Sequence, residues 1–290
     1  IYFVSGQGLN HPGASRQMAN HLSYDFEYWS PAFCIGLRRD QSFRQHWGLN
    51  SGEQVHLGAS MWNRGNVIVG MYGMWNGHAS NDRRLIHMDL GLCISQDALH
   101  FREPIPDFPI VSAAEDGWRE LPHGYPIIEK PPALIQGQGC FNIGDEPLFW
   151  YAPWPEQASD GVRVASWQRD RLGYLCGYLR KGWHEQYSCH CISAPIDLEG
   201  RPARLFLNAD GLGDRGSVLA EVVGESFEPI AGYEKENAVA AREGGLHQPL
   251  RWQDREVVTA ADPIRVCAHI EGTRPEDVRL YALYVVGCAD

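Results

Sequence analysis

The sequence has no long apolar run. Nothing in it approaches the roughly 18–20 consecutive hydrophobic residues that a membrane helix needs. It has no excess of positive charge either: 25 Lys and Arg stand against 36 Asp and Glu, a net charge of −11. A general nucleic-acid binder would carry a basic face, so that class is excluded. Amphipathic helical periodicity is scarce. The eight cysteines, at 34, 93, 140, 176, 189, 191, 267 and 288, form no CxxC pair, which removes the strongest redox and zinc signatures. Several lie inside strand-like runs, as Cys93 does in "DLGLCIS" and Cys267 in "IRVCAHI". They read as buried free thiols and lean towards a reducing, cytoplasmic compartment.

What is present is 31 Gly and 18 Pro, cutting the chain into short runs as all-β folds require. With 290 residues, the chain has the length of one large domain or two smaller ones. The acidic balance is explained by solubility, or by a cleft that carries carboxylates.

The first 190 residues hold a repeat. "SYDFEYWSPAF" (Ser23, Asp25, Trp29) recurs 72 residues later as "SQDALHFREPI" (Ser95, Asp97, Phe101). A weaker third copy starts at Ser166, with its Asp displaced to Asp170. Each copy follows a strand-like run: "YFVSGQGLN", "NVIVGMYGMW" and "EPLFWYAPW". The second and third have a further run before that, "VHLGASMWNRG" and "ALIQGQGCFNIGD", each closing with an Asn-x-Gly turn signal at Asn63–Gly65 and Asn142–Gly144. The unit is therefore strand A, a turn, strand B, a loop, strand C, and an S-x-D turn whose Asp bonds local backbone. Radial repetition of such units is the pattern of a β-propeller. The competing reading is a β-sandwich with chance similarity between hairpins. The first copy has no strand A. A five-bladed ring needs more chain than residues 1–187 supply, so an upstream segment, in the same gene product or as a separate chain, is expected to complete it and to bring a carboxylate.

From about residue 188 the pattern changes to six strand-like runs between Gly, Pro and Asp turns, from "SCHCISAPIDL" to "VRLYALYVV". Their spacing predicts a C-terminal β-sandwich over 188–290, after a partial propeller over 1–187. "SCHC" offers Cys189, His190 and Cys191 for a metal. Strand alternation, however, sends the cysteines to one face and His190 to the other, so no metal site is assigned.

In a propeller, strand A starts and B-to-C loops share one rim, where ligand sites form. Strand A starts supply Glu53, His56, Glu129, Gln136 and Gln138, and His56 and Gln136 hold comparable places. The loops supply His11, Arg16, Asn20, Trp75, Arg84, His87, Asp89 and Trp154. This mixture suits sugars: aromatic faces stack on the rings, while amides and guanidinium groups fork to vicinal hydroxyls. Sugar cleavage then needs two carboxyl groups flanking the scissile bond. Asp89, Glu53 and Glu129 are the candidates, each with a solvated or salt-bridged carboxylate as its plain alternative. Glu103 and Asp107, beyond strand C, read as salt-bridge partners.

"MDLGLCISQDALHFREP" resembles the strand C segment of the five-bladed propeller glycoside hydrolases of families 32 and 43, which carry a G-x-A-x-S-x-D-x-x-x-W-like run there. "LFLNADGL", "EPIAGYEKENAV", "PIRVCAHI" and "RLYALYV" are similar to the β-sandwich that follows the propeller in a bacterial family-32-like group. The resemblance implies hydrolysis or transfer of glycosidic bonds, often furanosidic, by an Asp nucleophile or base, a Glu acid and a second Asp. It leads to Glu129 as acid, Asp89 as base, nucleophile or stabiliser, and Glu53 as third acid. His56, Gln136, Gln138, Trp75, Arg84, His11 and Trp154 would bind sugar. The family-32 motifs N-D-P-N-G, R-D-P and E-C are absent. "HLGASMWNRG" and "LIQGQGCFN" stand in the first two of those places, with His or Gln where acids are usual. The alternative is a carbohydrate-binding relative without activity. The expected partner is a carbohydrate, with no nucleic acid or membrane. No organic cofactor is expected, and a structural Ca²⁺ near the propeller axis has no motif behind it.

Overall fold

The computed structural model describes residues 2–7, 16–31, 34–39, 53–77, 86–115, 133–154, 161–177 and 189–288. It is all-β, with no α-helix among the described residues, and divides into two compact units, Ile1–Ser166 and Trp167–Asp290.

The first unit contains three antiparallel meanders. One is β1 (Tyr2–Gln7), β2 (Met18–Ser23) and β3 (Cys34–Leu37). The next is four-stranded: β4 (Gln54–Asn63), β5 (Ile68–Gly77), β6 (Ile86–Ser95) and β7 (Pro109–Val111). The last is β8 (Leu134–Ile143), β9 (Glu146–Pro153) and β10 (Arg163–Ser166). Among the described residues none of the sheets closes on itself. The runs read as strands A, B and C occupy β4, β5 and β6, then β8, β9 and β10, while β1 and β2 take the B and C places. The short outer strands β3 and β7 escaped the sequence reading because three or four residues carry too little alternation to register.

The repeated turns superpose in their bonding. The Ser23 hydroxyl donates to Asp25 at 3.0 Å and accepts the Phe26 amide at 2.8 Å, and Asp25 accepts the Glu27 and Tyr28 amides at 2.9 and 2.8 Å. Ser95 and Asp97 repeat the set at 3.0, 3.0, 2.9 and 2.8 Å. Phe26 and Ala98, the equivalent third residues, both hold positive φ, 69° and 63°. The amide donors hold both carboxyls below the usual Asp range, with the Tyr28 and His100 amides foremost. The third copy departs from this set. Asp170 accepts the Tyr284 hydroxyl at 2.8 Å and belongs to the second unit.

Strand β4 packs against both β1 and β8. A bulge separates the pairs His56↔Gly73 and Ala59↔Tyr72, with Leu57 and Gly58 at φ 59° and 78°. It is clamped from two sides. The Ser5 hydroxyl donates to Ala59 O at 3.1 Å and accepts its amide at 3.2 Å, while Gln136 Nε2 donates to the carbonyls of His56 and Gly58 at 2.8 and 3.1 Å. A second register shift follows Gln136 in β8, between Gln136↔Tyr151 and Cys140↔Phe149. His56 and Gln136 are thus structural equivalents, each the last regular residue before its strand's bulge.

The second unit comprises β11 (Cys189–Ile192), β12 (Ala203–Asp210), β13 (Ser217–Gly224), β14 (Ala238–Val239), β15 (Gly245–Pro249), β16 (Arg251–Trp252), β17 (Ile264–Glu271) and β18 (Arg279–Gly287). Two three-stranded sheets, β11-β17-β13 and β15-β12-β18, place alternate residues in one core that includes Leu205, Leu207, Val218, Val222, Val266, Ile270 and Leu280. Trp252 is fully buried there, and its indole N–H donates to Ala220 O at 2.9 Å. The expected boundary near 187 lies outside the described residues. Trp167–Gly177 already joins the second unit, tied by Leu175 bridging Leu280 and by Arg171 bonding Asn208 and Asp210 at 2.9 and 2.6 Å. All eight cysteines are free thiols.

Candidate functional site

Alternation along β4, β5 and β6 sorts the candidates onto two faces of one sheet. The register aligns Gln54 with Trp75 and Met88, and Val55 with Met74 and Asp89. Gln54, His56, Trp75 and Met88 therefore share the face towards β8, and Val55, Met74 and Asp89 share the other. The apolar clusters follow the same division: Trp75 and Met88 pack with Ile135 and Trp154, whereas Met74 and Val55 pack with Met18 and Leu37.

On the first face four predicted residues meet. The His56 ring stacks on Trp154 at 4.9 Å between centroids and leans on Trp75 at 5.5 Å, and the two indoles lie edge to face at 6.3 Å. Gln136 reaches the same place through its bonds to the β4 bulge. Arg16, just before β2, completes the group. Its guanidinium lies over the Trp75 ring at 4.7 Å and bonds His56 Nδ1 at 3.1 Å. Arginine can only donate, so Nδ1 accepts and the ring proton sits on Nε2. Burial, with the Arg16 charge added, pushes the His56 pKa down to about 4, so the imidazole is neutral at physiological pH. Two buried polar atoms here have no hydrogen-bond partner among the described residues: the Trp75 indole N–H and Gln136 Oε1.

Asp89 is buried on the second face. One carboxylate oxygen accepts the Ala113 amide at 2.8 Å, and the other pairs with His87 Nε2 at 3.0 Å. Burial pushes its pKa up, but the His87 bond and the Ala113 amide outweigh burial and leave it below the usual Asp range. The same bond raises His87. Asp89 is therefore a fixed carboxylate, suited to a base, nucleophile or charge stabiliser rather than a proton donor. Glu53 is buried just before β4, at the same end of the sheet. Behind it, Arg39 is buried and donates to Trp75 O at 2.8 Å and to Asp107 at 2.7 Å, with Glu103 at 3.8 Å. Glu103 and Asp107 are thus partners of a buried guanidinium, and Glu103 also accepts the Tyr72 hydroxyl.

Gln138 lies exposed in the β8 bulge. Asn20 is buried and donates to Leu99 O at 2.7 Å, which ties β2 to the second S-x-D turn and gives it a structural task. Glu129, Arg84 and His11 lie outside the described residues. Its loop puts Arg16 among the rim residues, but no local pattern encodes its stacking on Trp75.

Fold and site together define an all-β protein of two units, with a buried aromatic, guanidinium and amide constellation in the first. No family model and no curated protein matches the sequence. Among solved structures the chain is similar to the Bombyx mori GH32 beta-fructofuranosidase BmSUC1, at 9% identity and a TM-score of 0.29, over 97% of this chain and 88% of that one. At that identity and TM-score, no residue role is carried across.

Proposed function

We propose that this protein is a glycoside hydrolase or transglycosidase, built from propeller-type blades over 1–187 and a β-sandwich over 188–290, and that its sugar site is centred on His56, Trp75 and Trp154. The observation that carries this reading is the pair of unpartnered buried atoms, Trp75 Nε1 and Gln136 Oε1, beside three aromatic rings and Arg16. A donor and an acceptor left open are together complementary to hydroxyl groups, since a hydroxyl both accepts and donates. The rings supply flat apolar surface for a sugar face. Asp89 is the ionised base, nucleophile or stabiliser, Glu53 the second carboxyl and Glu129 the general acid. Glu53 lies just before β4 and Asp89 on β6, two strands away and two residues out of register, so their backbones lie roughly 11–12 Å apart.

The second reading is a sugar-binding protein without hydrolysis. It is favoured by the alternation that puts Asp89 on the face opposite Trp75, with both carboxylate oxygens already engaged.

A glycan panel separates the two. Release of sugar that disappears in Asp89→Asn and Glu129→Gln establishes the hydrolase, and Asp89→Asn keeps an oxygen for the Ala113 amide. Binding by calorimetry with no sugar released establishes the binding reading. In either case Trp75→Ala weakens sugar affinity about tenfold, the equivalent of roughly 1.4 kcal/mol. Neither binding nor release across the panel overturns both.

A further inference from the structure

We infer that Glu221, Cys267 and His269 form a site for a thiophilic divalent cation, Zn²⁺ first among them, on the outer face of the β11-β17-β13 sheet. Cys267 and His269 are two apart on β17 and share a face. Glu221 pairs directly with Cys267 across β13, and His190 pairs directly with His269 across β11. Their neighbours Val266, Ala268 and Ile270 point into the core, so this quartet lies on the opposite side of the sheet. The donor atoms of Glu221, Cys267 and His269 lie within 4.8 Å of one another. The His190 ring stands 5.6 Å from that of His269.

A second observation points to a ligand. His269 is 8% exposed, Glu221 holds its Nε2 at 3.0 Å, and its Nδ1 has no hydrogen-bond partner among the described residues. A buried ring nitrogen left unmatched is destabilising, and coordination through Nδ1, with Nε2 kept by Glu221, would remove that penalty. The donor set selects the ion. Thiolate and imidazole favour zinc over magnesium or calcium, which take oxygen. One thiolate and one carboxylate neutralise its charge. Three protein donors with bonds of about 2.0–2.3 Å leave a fourth position, for His190 or water. The donors must draw in slightly to close around the ion. The cysteines of "SCHC" are not ligands: Cys189 and Cys191 pack against the core on the other face. It is His190 from that motif that joins the group.

The test uses the full chain, stripped with chelator and titrated with Zn²⁺ by calorimetry and with Co²⁺ by absorption, alongside thermal unfolding. The expected result is a single Zn²⁺ per chain, a higher unfolding temperature with the metal, and a thiolate-to-cobalt charge-transfer band. Cys267→Ala abolishes the band, and His269→Asn weakens Zn²⁺ about tenfold or more, while Cys191→Ala changes neither. Should Cys267→Ala fail to fold, Cys267→Ser takes its place and is expected to lose the band equally. Absence of Zn²⁺ binding by the wild type overturns the proposal. So does binding that survives both substitutions in folded protein, because the ion would then sit elsewhere.

Discussion

The two units bury different chemistry. The second encloses a continuous apolar core in which Leu207, Ala209, Val218, Val222, Ala268 and Val278 are all but inaccessible, with Asn208, Ser217 and His269 its buried polar side chains among the described residues. The first buries Asn20, Arg39, Glu53, Gln54, His56, Asp89 and Gln136 along its inner strands, and its apolar residues fall into separate small clusters. Apolar burial is non-directional and stabilises in proportion to area. Buried polar groups stabilise only when each finds its partner, and those left open are available to a ligand. The second unit is thus held chiefly by apolar area, and the first carries more buried polar side chains whose worth depends on their partners.

Substitutions in each unit should report that difference. The largest effect is expected from Trp252→Ala, which empties a fully buried volume and strands the Ala220 carbonyl. It should destabilise the second unit by about 3–5 kcal/mol in denaturant unfolding. Next comes the response of the first unit to acid. His56 has a folded pKa near 4 against 6.5 unfolded. Between those values the unfolded chain binds the extra proton, so stability rises with pH and is lost as pH falls from about 6.5 towards 4, by at most about 3 kcal/mol. His87 works in the opposite direction. Its pKa is raised by Asp89, so its contribution is complete below about 6.5 and fades as pH rises through the folded value. His56→Gln should flatten the limb between about pH 6.5 and 4, and His87→Gln should remove the decline in stability that His87 contributes above about pH 6.5. NMR titration of the two imidazoles checks the underlying shifts. If both titrate near the ordinary value, the buried polar account of the first unit is wrong.

Gly91→Ala tests a packing contact within the first unit. A Cβ there would stand 2.6 Å from the Tyr72 ring, whose hydroxyl is engaged by Glu103, so the ring cannot swing away freely. A loss of about 1–3 kcal/mol is expected from thermal unfolding. Ser95→Ala should have the smallest effect. It removes the acceptor of the Ala98 amide and the donor to Asp97, for about 1 kcal/mol. The same loss in Ser23→Ala would show that the two turns are energetic as well as geometric repeats.

Much of the first unit was legible because its signals are local. The S-x-D turns close on themselves within three residues, and Gly65 donates its amide to Asn63 at 2.8 Å within the expected Asn-x-Gly turn. The equivalence of His56 and Gln136 was readable from matched strand order, since each precedes a Gly-containing bulge. Their task was not. Gln136 spends its amide on the His56 and Gly58 carbonyls, 80 and 78 residues away, and no local pattern encodes that reach. The outer strands β3 and β7 were invisible because their pairing depends on the neighbour they meet.

By itself the sequence determined the all-β character, the repeated turn and the alternation that sorts each strand's residues onto two faces. These follow from backbone sterics, turn chemistry and a side-chain period of two, which act between near neighbours. Only the tertiary structure decided which faces meet. It put Arg16 over Trp75, stacked His56 on Trp154, separated Asp89 from both by the thickness of a sheet, and brought Glu221 of β13 beside Cys267 and His269 of β17. Such meetings depend on strand register across long loops, and register is set by the packing of the whole unit rather than by any stretch of residues within it.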